Sequence, residues 1–286
     1  KKISWPKLTI IERNTLAFKD YLAGIVVFMS VLGIYIKTCC PTVYILDSGE
    51  FLTGAHSLGV LHPPGYPAYP LFTKIFSFFP LGSAAFRINL GSAFFSSLSI
   101  ALLFFIIKKL FNSFYLAAVF SLATAFTNVL WSQSVSAEVY SLNAFFMTVL
   151  MISILQWDQT DQSRYLLFFG FIYGLSLSNH YISILFLPGF VLYLLLKQWK
   201  IVKNIKQITV VLFFSFLGLS TYIYLPVRSS ANPAVDWGNP ESWGAFLFHI
   251  KRMQYRYLEF ARDISVEEKI NLFLEYLSNV ADQYTL

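Results

Sequence analysis

Asp47 and Glu50 stand three residues apart in Asp47-Ser48-Gly49-Glu50-Phe51, with His56 and then His62-Pro63-Pro64-Gly65-Tyr66-Pro67 downstream. An ionised carboxylate is what a general base needs to take a proton from a hydroxyl group. The same D-x-x-E spacing also reads as a capping box on a short helix, where the helix dipole would keep Asp47 an anion. Three prolines and a glycine exclude regular helix from residues 62–67, so this stretch reads as a rigid turn that fixes His62 and Tyr66. A prearranged support of this kind loses little entropy when substrate arrives. Further along come Glu138 in Ala137-Glu138-Val139-Tyr140, His180 in Ser178-Asn179-His180, and Arg228 after Pro226. Each has an ordinary reading too: solvated hairpin tips for Glu138 and His180, an interfacial anchor for Arg228. As a set, a carboxylate pair, histidines and an arginine suit acid–base chemistry on a substrate that carries a phosphate.

The elements that must position these groups are long apolar runs. The chain has 286 residues, 56% hydrophobic and only 13% charged, about half the charge of a soluble domain. Residues 21–36 lie between Lys19 and Lys37, and residues 88–107 run into Lys108 and Lys109. From 110 to 157 the only charge is Glu138, and the stretch fits two spans of about 20 residues. Residues 165–196 read as a hairpin with short arms around His180, and 208–227 as a last span. The expectation is therefore an all-α polytopic membrane protein of about seven transmembrane helices, its long first outer loop holding short interfacial helices.

The positive-inside rule orients it. With the N-terminus cytoplasmic, Lys1, Lys2, Lys7, Arg13, Lys19, Lys108, Lys109, Arg164, Lys197, Lys200, Lys203 and Lys206 fall inside, whereas the outer loops between spans hold Lys37, Lys74 and Arg87. The net charge of +6 thus reads as topology anchors, not as a nucleic-acid surface. The outer face receives the loop 38–87, the turns 134–140 and 178–181, and everything after 225. Residues 1–228 read as a transmembrane domain with its catalytic first outer loop, and 229–286 as an extracytoplasmic helical segment, truncated. In that tail Asn239-Pro240 reads as a helix start leading into 241–262, and Ser265-Val266-Glu267-Glu268 as a capping box. Adjacent Cys39 and Cys40 read as small residues near a helix end, since a vicinal disulfide is strained. No small-residue cleavage site follows the first apolar run, which reads as a span and not a signal peptide.

These motifs also resemble a known family. The two first-loop motifs, the Glu138 and His180 segments, Leu225-Pro226-Val227-Arg228-Ser229-Ser230, Asn232-Pro233 and Trp237-Gly238-Asn239-Pro240 occur in one order. In that order they resemble the glycosyltransferase family 117 proteins. The resemblance implies the fold of the C-type glycosyltransferases, which take a sugar from a polyprenyl-phosphate lipid on the outer or luminal face. It implies a mannose-like sugar moved to a hydroxyl acceptor, a protein Ser/Thr or a glycan, in a multi-pass protein of a bacterial plasma membrane. Asp47 best matches the expected base, with Glu50 second. Arg228 would clamp the lipid phosphate, with His62, Tyr66, Glu138 and His180 binding substrate. No metal-ligand set is evident and no cofactor is implied. A transporter or lipid flippase is the alternative, but its polar groups would sit near the bilayer midplane on broken helices.

Overall fold

A computed structural model describes residues 15–256 and 265–283. The anchors Lys1, Lys2, Lys7 and Arg13, and the part of the expected tail helix at 257–262, lie outside them. Among the described residues the chain is helical, with one isolated parallel β-bridge between Val60 and Asp236.

The apolar runs become the long helices. Helix α1 (Phe18–Thr38) opens the chain, followed by the short helices α2 (Ser48–Ser57) and α3 (Ala68–Thr73) in the first loop. Helix α4 (Ala84–Phe111) starts on a Ser83 cap that accepts from Phe86 N–H, and stops at left-handed Asn112 with Lys108 and Lys109 in its last turn. Then come α5 (Phe114–Ala125), α6 (Asn128–Ser134), α7 (Val139–Thr160), α8 (Ser163–Asn179), α9 (Leu187–Lys197), α10 (Ile205–Leu219) and α11 (Tyr224–Ser229). The tail adds α12 (Trp243–Ile250) and α13 (Val266–Asp282).

Among the described residues, four helices are long and apolar enough to cross a membrane, or five if the bent pair Phe114–Ala125 and Asn128–Ser134 forms one span. A count of seven requires adding α8 and the stretch Tyr181–Lys197, both shorter than the ~20 residues of an ordinary span. The outward faces are apolar, as lipid-facing helices require: Ile25, Met29, Leu212, Phe213 and Phe216 are all exposed.

Helix α4 is central, packing against α1, α5 and α7, and α7 and α10 both pack on α8. Where helices cannot gain from excluding water, small residues and buried hydroxyls hold them together. Ser96 Oγ donates to Ser141 Oγ (2.9 Å), Ser183 Oγ to Asn143 Oδ1 (2.8 Å), and Asn179 Nδ2 to Val139 O (3.0 Å). On α8, Gly170 and Gly174 face α10 so closely that a Cβ at Gly174 would lie 2.0 Å from Ser215 O.

The bend of 66° between α5 and α6 breaks a backbone ladder, and side chains from elsewhere satisfy the freed groups. Tyr35 Oη donates to Ala125 O (2.6 Å), and Val129 N–H donates to Gln283 Oε1 (2.9 Å). In an unbroken helix those two backbone groups would pair with each other.

The tail differs from expectation at both ends of its first helix, which stops at Ile250, before Arg252 at φ +55°. Its first helix begins at Trp243, not at Pro240, because Asn239 takes φ +41° and Ser242 supplies the cap to Ala245 N–H. The capping box before α13 forms as expected: Ser265 Oγ accepts from Glu268 N–H (3.1 Å) and Glu268 Oε2 from Ser265 N–H (3.0 Å).

Candidate active site

One end of the bundle gathers the motif residues. Helix α2 begins there, but Asp47 and Glu50 do not form the capping box. Asp47 itself is in the αR region and makes no cap bond, while the Glu50 carboxylate turns to the proline-rich turn. Its Oε1 accepts from His62 N–H (2.6 Å) and its Oε2 lies 3.0 Å from His62 Nδ1. The physical reason is competition. A carboxylate that meets both a loop amide and an imidazole gains charge-assisted bonds, and it satisfies a backbone donor that no helix serves. Glu50 thus orients His62, and Asp47 stands exposed beside the cluster.

The turn at 62–67 is held from outside by the tail. Val60 N–H donates to Val235 O (2.8 Å) and Trp237 N–H to Val60 O (3.1 Å). Tyr224 Oη donates to Gly59 O (3.0 Å), and the buried His249 ring places Nε2 3.0 Å from Leu61 O. That contact assigns the hydrogen of neutral His249 to Nε2, and burial holds this group down at about 4. The ring fits because two glycines leave room. Gly65 (φ +98°) and Gly238 (φ +68°) would bring a Cβ to 3.2 Å from Nε2 and 2.8 Å from Nδ1 of His249.

Arg228 has a role neither expectation described. Its Nε donates to Leu58 O (2.8 Å) and an Nη to Ser57 O (3.2 Å), so it caps the C-terminal carbonyls of α2.

Glu138 and His180 arrive from the two hairpin tips, and both are buried. Glu138 precedes α7 in an extended conformation, 9% exposed, which removes the solvated-tip reading. Burial first, and then the charge of Asp47, push its carboxyl up to about 7, against the opposing effects of His62 and a bond from Val139 N–H. His180 Nδ1 accepts from Ile182 N–H (3.2 Å), so the neutral ring carries its hydrogen on Nε2. Burial, with Arg252 and His62 adding positive charge nearby, lowers His180 to about 4. Among the described residues no group of three or more His, Cys, Asp or Glu side chains is placed to hold a metal ion.

A continuous run of rings ties the pieces together. His62 meets Tyr66 at 5.0 Å and Trp237 at 6.4 Å; Tyr66 stacks on His180 at 5.7 Å, and His180 on Tyr181 at 4.9 Å. Tyr140 joins His180 at 5.4 Å. Arg252 lies over Tyr181, 4.7 Å from its centroid. Burial raises the Tyr66 hydroxyl well above its usual range, so it stays a hydrogen-bond donor. The structure thus brings Asp47, Glu50, His62, Tyr66, Glu138 and His180 into one region and turns Arg228 to the α2 backbone. Tyr140, Tyr181, Trp237, His249 and Arg252 are additions. His249 and Arg252 had a signal in the sequence, as polar residues inside an aromatic-rich tail.

The profile described as Protein O-mannosyl-transferase TMEM260 N-terminal domain matches residues 47–203. A Mus musculus protein named protein O-mannosyl-transferase TMEM260 is 34% identical over 245 residues, 81% of this chain and 34% of the relative. A Dictyostelium discoideum protein of that name is 26% identical over 290 residues, 94% of this chain and 35% of the relative. The chain spans about a third of the length of these curated relatives. No solved structure matches it. The matched profile starts at Asp47 and includes His62, Glu138 and His180, but stops before Arg228, His249 and Arg252.

Proposed function

Because this chain belongs to the family of the TMEM260 protein O-mannosyl-transferase N-terminal domain, matched over more than half its length, we propose that it carries the catalytic centre of a membrane glycosyltransferase. On this reading it moves mannose from a polyprenyl-phosphate lipid to a protein hydroxyl at the extracytoplasmic or luminal face. The relatives' names support mannose and a protein acceptor. The bacterial plasma membrane expected from sequence finds no support in these relatives, both of which are eukaryotic. The observation that carries the reading is the convergence, at one end of an apolar bundle, of an electrostatically coupled carboxylate pair, Asp47 and Glu138, with the Glu50–His62 pair beside it.

The step such a centre performs is a displacement at the sugar's anomeric carbon. The acceptor oxygen forms the new bond, the bond from that carbon to the phosphate oxygen breaks, and the leaving lipid phosphate takes the electron pair. The acceptor proton goes to the carboxylate pair. A base whose proton affinity lies near the working pH both stays ionised and takes the proton readily, which Glu138 at about 7 satisfies. Asp47, exposed at the start of α2, is open to the acceptor, and its charge raises the proton affinity of Glu138. His62, oriented by Glu50, and the ring stack of Tyr66 and His180 form the sugar-facing wall.

The transporter alternative would place polar groups on a broken span near the bilayer midplane. The broken pair α5–α6 carries no charged residue, and Tyr35, its partner, lies one turn from the end of α1. The test is transfer of label from polyprenyl-phosphate mannose to protein by purified membranes. Label that stays on lipid in wild type, or transfer equal in wild type and in the Asp47→Asn, Glu138→Gln double variant, would remove the reading.

A further inference from the structure

The two coupled carboxylates hang from a common piece of backbone, residues 40–42 after α1. Every carbonyl of this brace accepts from a side chain at the N-terminal end of α4. Asn89 Nδ2 donates to Cys40 O (2.8 Å) and to Thr42 O (3.0 Å), and Ser83 Oγ donates to Pro41 O (2.8 Å). On its other side Cys40 N–H donates to Val135 O (2.8 Å), three residues before Glu138. Five residues beyond Thr42 stands Asp47, tied to α2 where its carbonyl accepts from Phe51 N–H (3.0 Å). Between the brace and α2 lie Val43, Tyr44, Ile45 and Leu46, all exposed, so burial does not hold them. Leu46 nevertheless takes φ +62°, a left-handed conformation that costs a leucine free energy. Such a turn persists only when its surroundings fix it. Helix α2 fixes one end and the brace fixes the other.

Asn89 is the centre of this brace. It is fully buried on the second turn of α4, and its two partners are carbonyls, which settles that Nδ2 and not Oδ1 faces them. Its Oδ1 is buried and has no hydrogen-bond partner among the described residues. An unpaired buried oxygen opposes folding, so what this amide gives the fold is its two donated bonds. Resting on the reading of Asp47 and Glu138 as one catalytic pair, we propose that Asn89 is a positioning residue: by holding the carbonyls of Cys40 and Thr42 it sets how near Asp47 stands to Glu138. The other titratable groups that interact with Glu138 are His62 of the turn, Tyr69 of α3 and Tyr140 of α7. Asp47 is the one to which the brace leads.

The deciding experiment is an infrared titration of Glu138 in the purified full chain in detergent, its carboxyl band identified by its loss in Glu138→Gln. Wild type should titrate at about 7. Asp47→Asn removes a like charge and should move the midpoint to lower pH. Asn89→Leu removes both donors and should move the midpoint the same way by about half as much, since a Coulomb interaction weakens as the charges separate. Added to Asp47→Asn, it should move nothing further, because the charge it displaces is already gone. Loss of a merely structural bond would lower the unfolding temperature and leave the midpoint in place. Thermal unfolding checks each variant, and Asn89→Ala serves if Asn89→Leu does not fold. A wild-type midpoint in the folded variant overturns the proposal. So does a shift that persists beside Asp47→Asn, which would trace the effect to the burial of Glu138 and not to the place of Asp47. Transfer is measured on the same proteins: in Asn89→Leu kcat should fall by about 10-fold or more, with KM for polyprenyl-phosphate mannose unchanged. If the titrations shift as expected but wild type transfers nothing, the placing of Asp47 stands and the transferase reading falls. Transfer by wild type with an unmoved midpoint in Asn89→Leu does the reverse.

Discussion

At the scale of single residues, the carboxylates make the sharpest expectations. Asp47→Asn keeps the shape and removes the proton acceptor, so transfer should fall by at least about 100-fold in a protein that still folds. The coupled pair sets the pH response. Below the Glu138 value of about 7 that carboxyl already holds a proton and cannot take one; above it Glu138 is ionised. Transfer should therefore rise with pH to a plateau above about 7, and Glu138→Gln should lose that rise and run at a reduced rate. The stability effect has the opposite sign. Folding raises Glu138 from 4.5 to about 7, so the folded state binds the extra proton between those values and loses stability as pH rises through them. Arg228→Ala should lower the unfolding temperature, consistent with losing charged hydrogen bonds of about 1.5–3 kcal/mol in total, discounted for partial exposure. Residue types and order already marked Asp47, Glu50, His62, Tyr66, Glu138 and His180. What spacing could not show was that Glu50 bonds to His62 twelve positions away instead of capping its own helix. Nor could it show that Arg228 is turned onto α2, because both depend on how separate segments dock.

At the scale of elements, periods and charges located the apolar helices well, since lipid demands long uncharged runs. Residues 21–36, 88–107 and 208–227 fall within α1, α4 and Ile205–Ser229. The bend at Phe126 and Thr127 was not legible, because neither proline nor glycine marks it and the freed groups find partners at Tyr35 and Gln283. The contact of α8 with α10 is tight, backbone against backbone. A side chain at Gly174 would meet the backbone of Ser215, Gly218 and Leu219, and backbone cannot swing aside. Gly174→Leu should therefore separate the two helices and destabilise by more than the ~1–3 kcal/mol of ordinary overpacking. Size-exclusion profile and thermal unfolding in detergent read this out. Gly189→Leu, where nothing lies within 4 Å, is the matched control.

At the scale of the molecule, charge placement gives an orientation that labelling can check. With Cys39 and Cys40 replaced by serine, a cysteine at exposed Thr53 should react with an impermeant reagent from outside intact cells, and one at exposed Asn204 should not. The reverse pattern would move the site to the cytoplasmic side. The polypeptide order also bears on when the site can exist. Residues 58–62 are strapped by Val235, Trp237 and His249, which leave the ribosome much later. While the chain is still being made, the carboxylates and His62 are already in the membrane, but the turn beneath them lacks its strap. On the proposed function, a nascent chain would thus be inert until synthesis had passed α12, and could not draw on a lipid-linked donor before its tail was made.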